Sequence, residues 1–125
     1  MAHETDLSRK HCAACEGGTA PTSPEQLPAL LAQIPDWHIT ADGKRIRREW
    51  QAKNFLAALD FFQRVAEVAE HEGHHPDLHL VAYRHMSIEI WTHATNGLTE
   101  NDFILAAKID QLDSDLQNKT IALRA

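Results

Sequence analysis

Apolar positions along this chain recur with two different periods, and the switches between them outline a helix, a hairpin, a helix, a hairpin and a helix. Leu27, Leu30, Leu31 and Ile34 follow at spacings of three and four, which predicts a short amphipathic helix. Ser23-Pro24 precedes it as an N-cap with proline at the first helical position, and Pro35 stops it. Trp37 to Thr40 and Arg45 to Trp50 are strand candidates joined by Ala41-Asp42-Gly43-Lys44, whose Asp-Gly is a hairpin signal. In the second of these strands Ile46 and Trp50 are read as inward and the arginines as exposed. From Asn54 the pattern turns helical. Phe55, Leu59, Phe62, Ala66 and Ala69 make one stripe, widened by Leu56, Val65 and Val68. Asn54 is placed to cap the start of this helix, and Gly73 to end it in a left-handed conformation.

Leu78 to Tyr83 and Met86 to Trp91 form the second strand pair. Met86, Ile88 and Ile90 alternate with Ser87, Glu89 and Trp91, as in a half-buried strand. Asn96-Gly97 is a turn. Thr99-Glu100-Asn101-Asp102 resembles a capping box with Asp at its fourth position, opening a last helix that carries Phe103, Ala106, Ile109 or Asp110, Leu112 and Leu116. The order predicts an α+β domain: an antiparallel four-stranded sheet with three helices packed on one face. Residues 1–23 hold one large aliphatic side chain, Leu7, and end in a Gly-, Thr- and Pro-rich stretch. That composition predicts a mobile tail before a domain over residues 24–125.

Composition narrows the function classes. The chain has 125 residues, 43% of them hydrophobic and 24% charged, which suits one globular domain. Its formal net charge of −6 gives no electrostatic basis for holding nucleic acid or an anionic membrane. Its apolar runs are too short to span a bilayer, and the start of the chain has no apolar segment of the secretory kind. A cytoplasmic location is expected.

The chemistry concentrates in Glu70-His71-Glu72-Gly73-His74-His75-Pro76 and in Thr92-His93. Nine residues are His, and five of them fall between His71 and His85. Imidazole both gives and takes a proton near neutral pH, so His74, His75 and His93 are candidate acid/base groups. Pro76 disfavours helical geometry at His75 and sends the two adjacent rings in different directions. Glu70 stands one helical turn before His74, at the same rim. Two other readings stay open. One is a solvated polar loop, in which His71 complements the helix dipole and His79 and His85 are surface residues. The other is a zinc site of His74, His75 and His93 with Glu70, weakened because its His74-His75 pair is adjacent rather than spaced as a His-x-x-x-His helical repeat.

Taken together, Glu70, His74, His75, Pro76, Thr92, His93, Gly97, Leu98, Thr99 and Asp102 resemble the motifs of the pterin-4a-carbinolamine dehydratase family, over about residues 24–125. The resemblance implies dehydration of 4a-hydroxytetrahydropterin to quinonoid dihydropterin, a step in tetrahydrobiopterin recycling after aromatic amino-acid hydroxylation. It implies no metal and no organic cofactor. Carried over by position, His74 would act at the 4a-hydroxyl and His93 would be the second proton-transfer or leaving-water partner. His75 would bind and orient the pterin, Glu70 would set the protonation of the cluster, and Asp102 would support the site. Relatives commonly carry an acidic or amide residue where this chain has Gly73. The resemblance also implies a homodimer or homotetramer, with an aromatic amino-acid hydroxylase as a partner in the same pathway. The alternative it leaves is a non-catalytic interaction or assembly factor on the same fold. Separately, His11-Cys12-Ala13-Ala14-Cys15 offers half of a metal site, a redox pair, or no role.

Overall fold

The computed structural model describes residues 6–12 and 20–118. Four strands form one antiparallel sheet: β1 (His38–Ile39), β2 (Ile46–Gln51), β3 (Asp77–Val81) and β4 (His85–Ile90), in the order β1-β2-β4-β3. The helices are α1 (Leu27–Ala32), α2 (Phe55–Glu72) and α3 (Glu100–Asn118). This is the expected α+β domain.

Strand parity decides what faces the helices. Ile46 pairs with Ile90, Arg48 with Ile88 and Trp50 with Met86, and all six are buried. The five apolar ones meet Phe61 and Val65 of α2 and Phe103 and Ile109 of α3 in a single core. Arg47 and Glu89 pair on the opposite face, where Arg45 also bonds Glu89. Arg48 corrects the expectation of exposed arginines in β2. Parity puts it on the core side with Ile46 and Trp50, and it is 5% exposed. Its guanidinium donates to Asp110 and Asp113 of α3, the latter at 3.1 Å, so the buried charge is paired. Burial pushes the Asp110 carboxyl above its usual value, against the bonds from Trp37 and Arg48.

The face of α2 differs from the expected stripe. Ala58, Phe61, Val65 and Ala69 are buried, at spacings of three and four, while Phe55, Leu56 and Leu59 are exposed. The first turns of α2 are apolar around most of their circumference, so periodicity alone does not fix which arc faces the sheet.

The N-terminal segment also departs from expectation. Leu7–Arg9 forms a 3₁₀ turn, and Leu7 is 1% exposed within the core. Gln33 Oε1 accepts from Leu7 N–H, Lys108 Nζ donates to Ser8 O, and Lys10 pairs with Glu100. Residues 6–12 are therefore docked on the domain rather than hanging from it. Pro21 bridges to Thr99 and Thr22 N–H donates to Leu98 O, so the packed chain also begins before residue 24. Cys15 lies outside the described residues.

Candidate active site

The site is built where α2 stops. Asn54 caps the start of α2 by accepting from Ala57 N–H (2.8 Å), and Gly73 ends it at φ 68°. Gly73 N–H donates to Glu70 O and His74 N–H to Ala69 O, the paired bonds of a Schellman ending. This turn reverses the chain within two residues and sends His74 inward. Pro76 then holds the chain out of helical geometry before β3 begins at Asp77. The two adjacent imidazoles part as expected. His74 is 3% exposed, whereas the His75 side chain is 64% exposed.

His74 Nε2 lies 2.6 Å from Asp102 Oδ1. Asp102 is fully buried at the third position of α3, where the helix N-terminus favours negative charge. Its Oδ2 accepts from Thr99 N–H (2.8 Å), which is half of the expected capping box. Thr92 Oγ1 lies 3.0 and 3.1 Å from the two carboxylate oxygens and 2.8 Å from Thr99 Oγ1. A carboxylate only accepts, so the proton assignments follow. Thr92 donates to Asp102, Thr99 donates to Thr92, and His74 donates through Nε2. Asp102 thereby fixes both the orientation and the tautomer of a buried imidazole, the arrangement by which a carboxylate prepares a histidine for proton transfer.

A second pair lies on the rim. His75 Nε2 is 2.6 Å from Glu70 Oε2, and both side chains are exposed. His93 does not close a strand: β4 ends at Ile90, and His93 opens a 3₁₀ turn through Thr95. Its ring stacks on Trp91, with centroids 4.1 Å apart and planes 26° apart. Trp91 is itself anchored, donating from Nε1 to Asp77 Oδ2 (3.2 Å) under the Arg45 guanidinium, 4.6 Å from its centroid.

Each candidate residue thus has a place. His74 joins Asp102 inside, His75 joins Glu70 outside, and His93 lies against Trp91, one residue from the Thr92 hydroxyl that holds Asp102. Glu70 meets His75 rather than His74. His74 turns to a buried carboxylate and His75 to an exposed one, and among the described residues the donor atoms of His74, His75, His93 and Glu70 do not form a group gathered within 4.8 Å, as one shared ion would need. Sequence reasoning missed the shelf of Trp91, Asp77 and Arg45 under His93. The one available signal was an aromatic residue two positions before a candidate imidazole.

A crystal structure from Brucella melitensis, described as a transcriptional coactivator/pterin dehydratase, superposes with a TM-score of 0.69 at 27% identity, covering 74% of this chain and 98% of that one. The fold is thus an α+β domain of the pterin-dehydratase class. The model of the family Pterin 4 alpha carbinolamine dehydratase matches residues 20–112. Pterin-4-alpha-carbinolamine dehydratase 2, mitochondrial, of Arabidopsis thaliana is 49% identical over 122 residues, which are 94% of this chain and 65% of that protein. A putative pterin-4-alpha-carbinolamine dehydratase of Halorhodospira halophila is 47% identical over 85% of this chain and 96% of its own length. The chain belongs to the pterin-4a-carbinolamine dehydratase family, a family of hydro-lyases.

Proposed function

We propose that this chain dehydrates 4a-hydroxytetrahydropterin to quinonoid dihydropterin and water by histidine acid/base catalysis. The observation that carries the reading is the buried His74–Asp102 pair, one residue from the exposed His75–Glu70 pair. The reaction needs a proton delivered at the 4a oxygen, so that the C4a–O bond breaks and water leaves. It also needs the N5 proton removed as the C4a–N5 double bond forms. Imidazoles serve both ends near neutral pH, each contributing a factor of ~10²–10⁴.

His74 is assigned to the hydroxyl. Asp102 stabilises its imidazolium. His93, exposed on Trp91, is the second proton-transfer partner. His75, steadied by Glu70, binds and orients the pterin. In this role the enzyme restores a pterin cofactor after aromatic amino-acid hydroxylation, and we assign it to the cytoplasm. The mitochondrial label belongs to the Arabidopsis relative, and cell fractionation checks the assignment. The decay of freshly generated 4a-hydroxytetrahydropterin, followed by ultraviolet absorbance with and without chelator-treated protein, tests the activity. Accelerated decay supports it. Unchanged decay in the presence of folded protein rejects it in favour of an interaction role.

We also infer a homo-oligomer. Phe55, Leu56 and Leu59 form an exposed apolar patch on α2, and edge strand β3 exposes Leu78 and Val81. Leu56→Glu, at a side chain with 75% of its surface exposed, is expected to lower the mass measured by light scattering. An unchanged mass removes this face from the interface.

A further inference from the structure

The docking of residues 6–12 creates a second histidine–carboxylate cluster that the dehydratase reading does not use. His11 arrives beside the last two residues of α2, His71 and Glu72. One ligand atom from each of the three lies within 4.8 Å of the others. His11 Nδ1 is 3.3 Å from Glu72 Oε2, and the two imidazole centroids are 6.2 Å apart, edge to face. We propose that His11, His71 and Glu72 bind a borderline divalent cation, zinc in the first instance, which clasps the N-terminal segment to the end of α2.

Three features support a built site. First, the donor set is two imidazoles and one carboxylate, a set used where zinc keeps an open fourth position for water. Ligands at about 2.0–2.1 Å around a tetrahedral ion stand roughly 3.3–3.4 Å apart, which the His11–Glu72 separation already matches. Second, the carboxylate is held for the purpose. The Glu72 side chain is 3% exposed, and its Oε1 accepts from Cys12 N–H at 2.8 Å, leaving Oε2 turned toward His11. Such support of a ligand by a fixed partner orients it for metal. Third, the imidazoles are accessible and line a cleft of about 390 Å³ with Glu67, Lys108 and Gln111. Lys108 Nζ is 3.6 Å from Glu72 Oε2 and also donates to Ser8 O at 2.9 Å. It therefore keeps a partner when the cation takes Oε2.

The test uses the untagged, chelator-stripped full chain, titrated with zinc by calorimetry and with cobalt(II) by absorbance. The expected result is one ion per chain, a melting temperature that rises with zinc, and affinity reduced at least about tenfold in His11→Ala and in His71→Ala. His11 has 73% of its side chain exposed, so His11→Ala reports on binding without loss of packing. His75→Ala is expected to bind zinc as the parent does. Unchanged affinity in His11→Ala overturns the proposal, as does loss of binding in His75→Ala instead, which would move the ion to the rim of the pterin site. A thiolate-to-cobalt charge-transfer band also overturns it, because it would make sulfur a ligand. None of these readouts depends on dehydratase activity.

Discussion

Asp102→Asn isolates the role of the buried carboxylate, because the amide has the same shape and removes only charge and one acceptor. Thr99 N–H is a backbone donor fixed by the start of α3, so the amide oxygen must take the place of Oδ2. The amide NH₂ then takes the place of Oδ1 and faces His74 Nε2, now 2.6 Å from the carboxylate. Two donors cannot share that contact. The imidazole must carry its proton on Nδ1 instead, and its imidazolium loses the adjacent negative charge. The three charge-assisted bonds, from His74, Thr92 and Thr99, become neutral ones, which costs about 3 kcal/mol of stability in total. That sum lies within the stability of a small domain, so the variant is expected to fold. For turnover, the wrong tautomer and the lost counter-charge are expected to lower kcat by ~10²–10⁴, or roughly 2.7–5.4 kcal/mol of barrier. Stopped-flow absorbance of the carbinolamine gives kcat, and a thermal melt of the same sample verifies folding. Nitrogen-15 spectra of the imidazoles read the tautomer directly. A folded Asp102→Asn protein with kcat within about threefold of the parent would refute the reasoning.

Two further predictions concern the scaffold. Gly73→Ala places a side chain at φ 68° where nothing lies within 4 Å of the new carbon, so the cost is backbone strain alone, about 1–2 kcal/mol in chemical denaturation; unchanged stability would show that the α2 ending relaxes freely. Burial raises the Glu89 carboxyl, but the bonds and charges of Arg47 and Arg45 hold it below its ordinary value of 4.5. Its folded pKa is thus below its unfolded one, and its contribution is present above about pH 4.5 and lost as pH falls through the folded value. Glu89→Gln is expected to lower stability by about 1 kcal/mol at neutral pH and to match the parent in strong acid. A deficit that persists in acid would assign the effect to packing instead.

Much of the scaffold was legible because its signals are local. Asn54 and Gly73 bracket α2 through their own backbone preferences, and the alternation of Met86, Ile88 and Ile90 needs only strand parity. The same parity rule places Arg48 beside Ile46 and Trp50, which the expectation of exposed arginines overlooked. A buried arginine requires carboxylates, and Asp110 and Asp113 supply them from α3. Other features are tertiary. A single leucine in a polar segment has no period, so the burial of Leu7 depends on the groove that α3 offers. The face of α2 could not be phased where Phe55, Leu56 and Leu59 extend the apolar arc. At the site, Asp102 was readable as a capping residue. Its bond to His74 depends on the end of α2 meeting the start of α3, 28 residues apart in sequence.

The most direct test of the central claim is the kinetics of His74→Gln on the carbinolamine. Gln retains an N–H for Asp102 and lacks a group that transfers a proton near neutral pH. The account predicts a folded protein whose kcat falls by ~10²–10⁴ while KM changes little. A folded variant that keeps the parent kcat, or loses kcat/KM through KM alone, would contradict His74 as the acid/base at the 4a-hydroxyl.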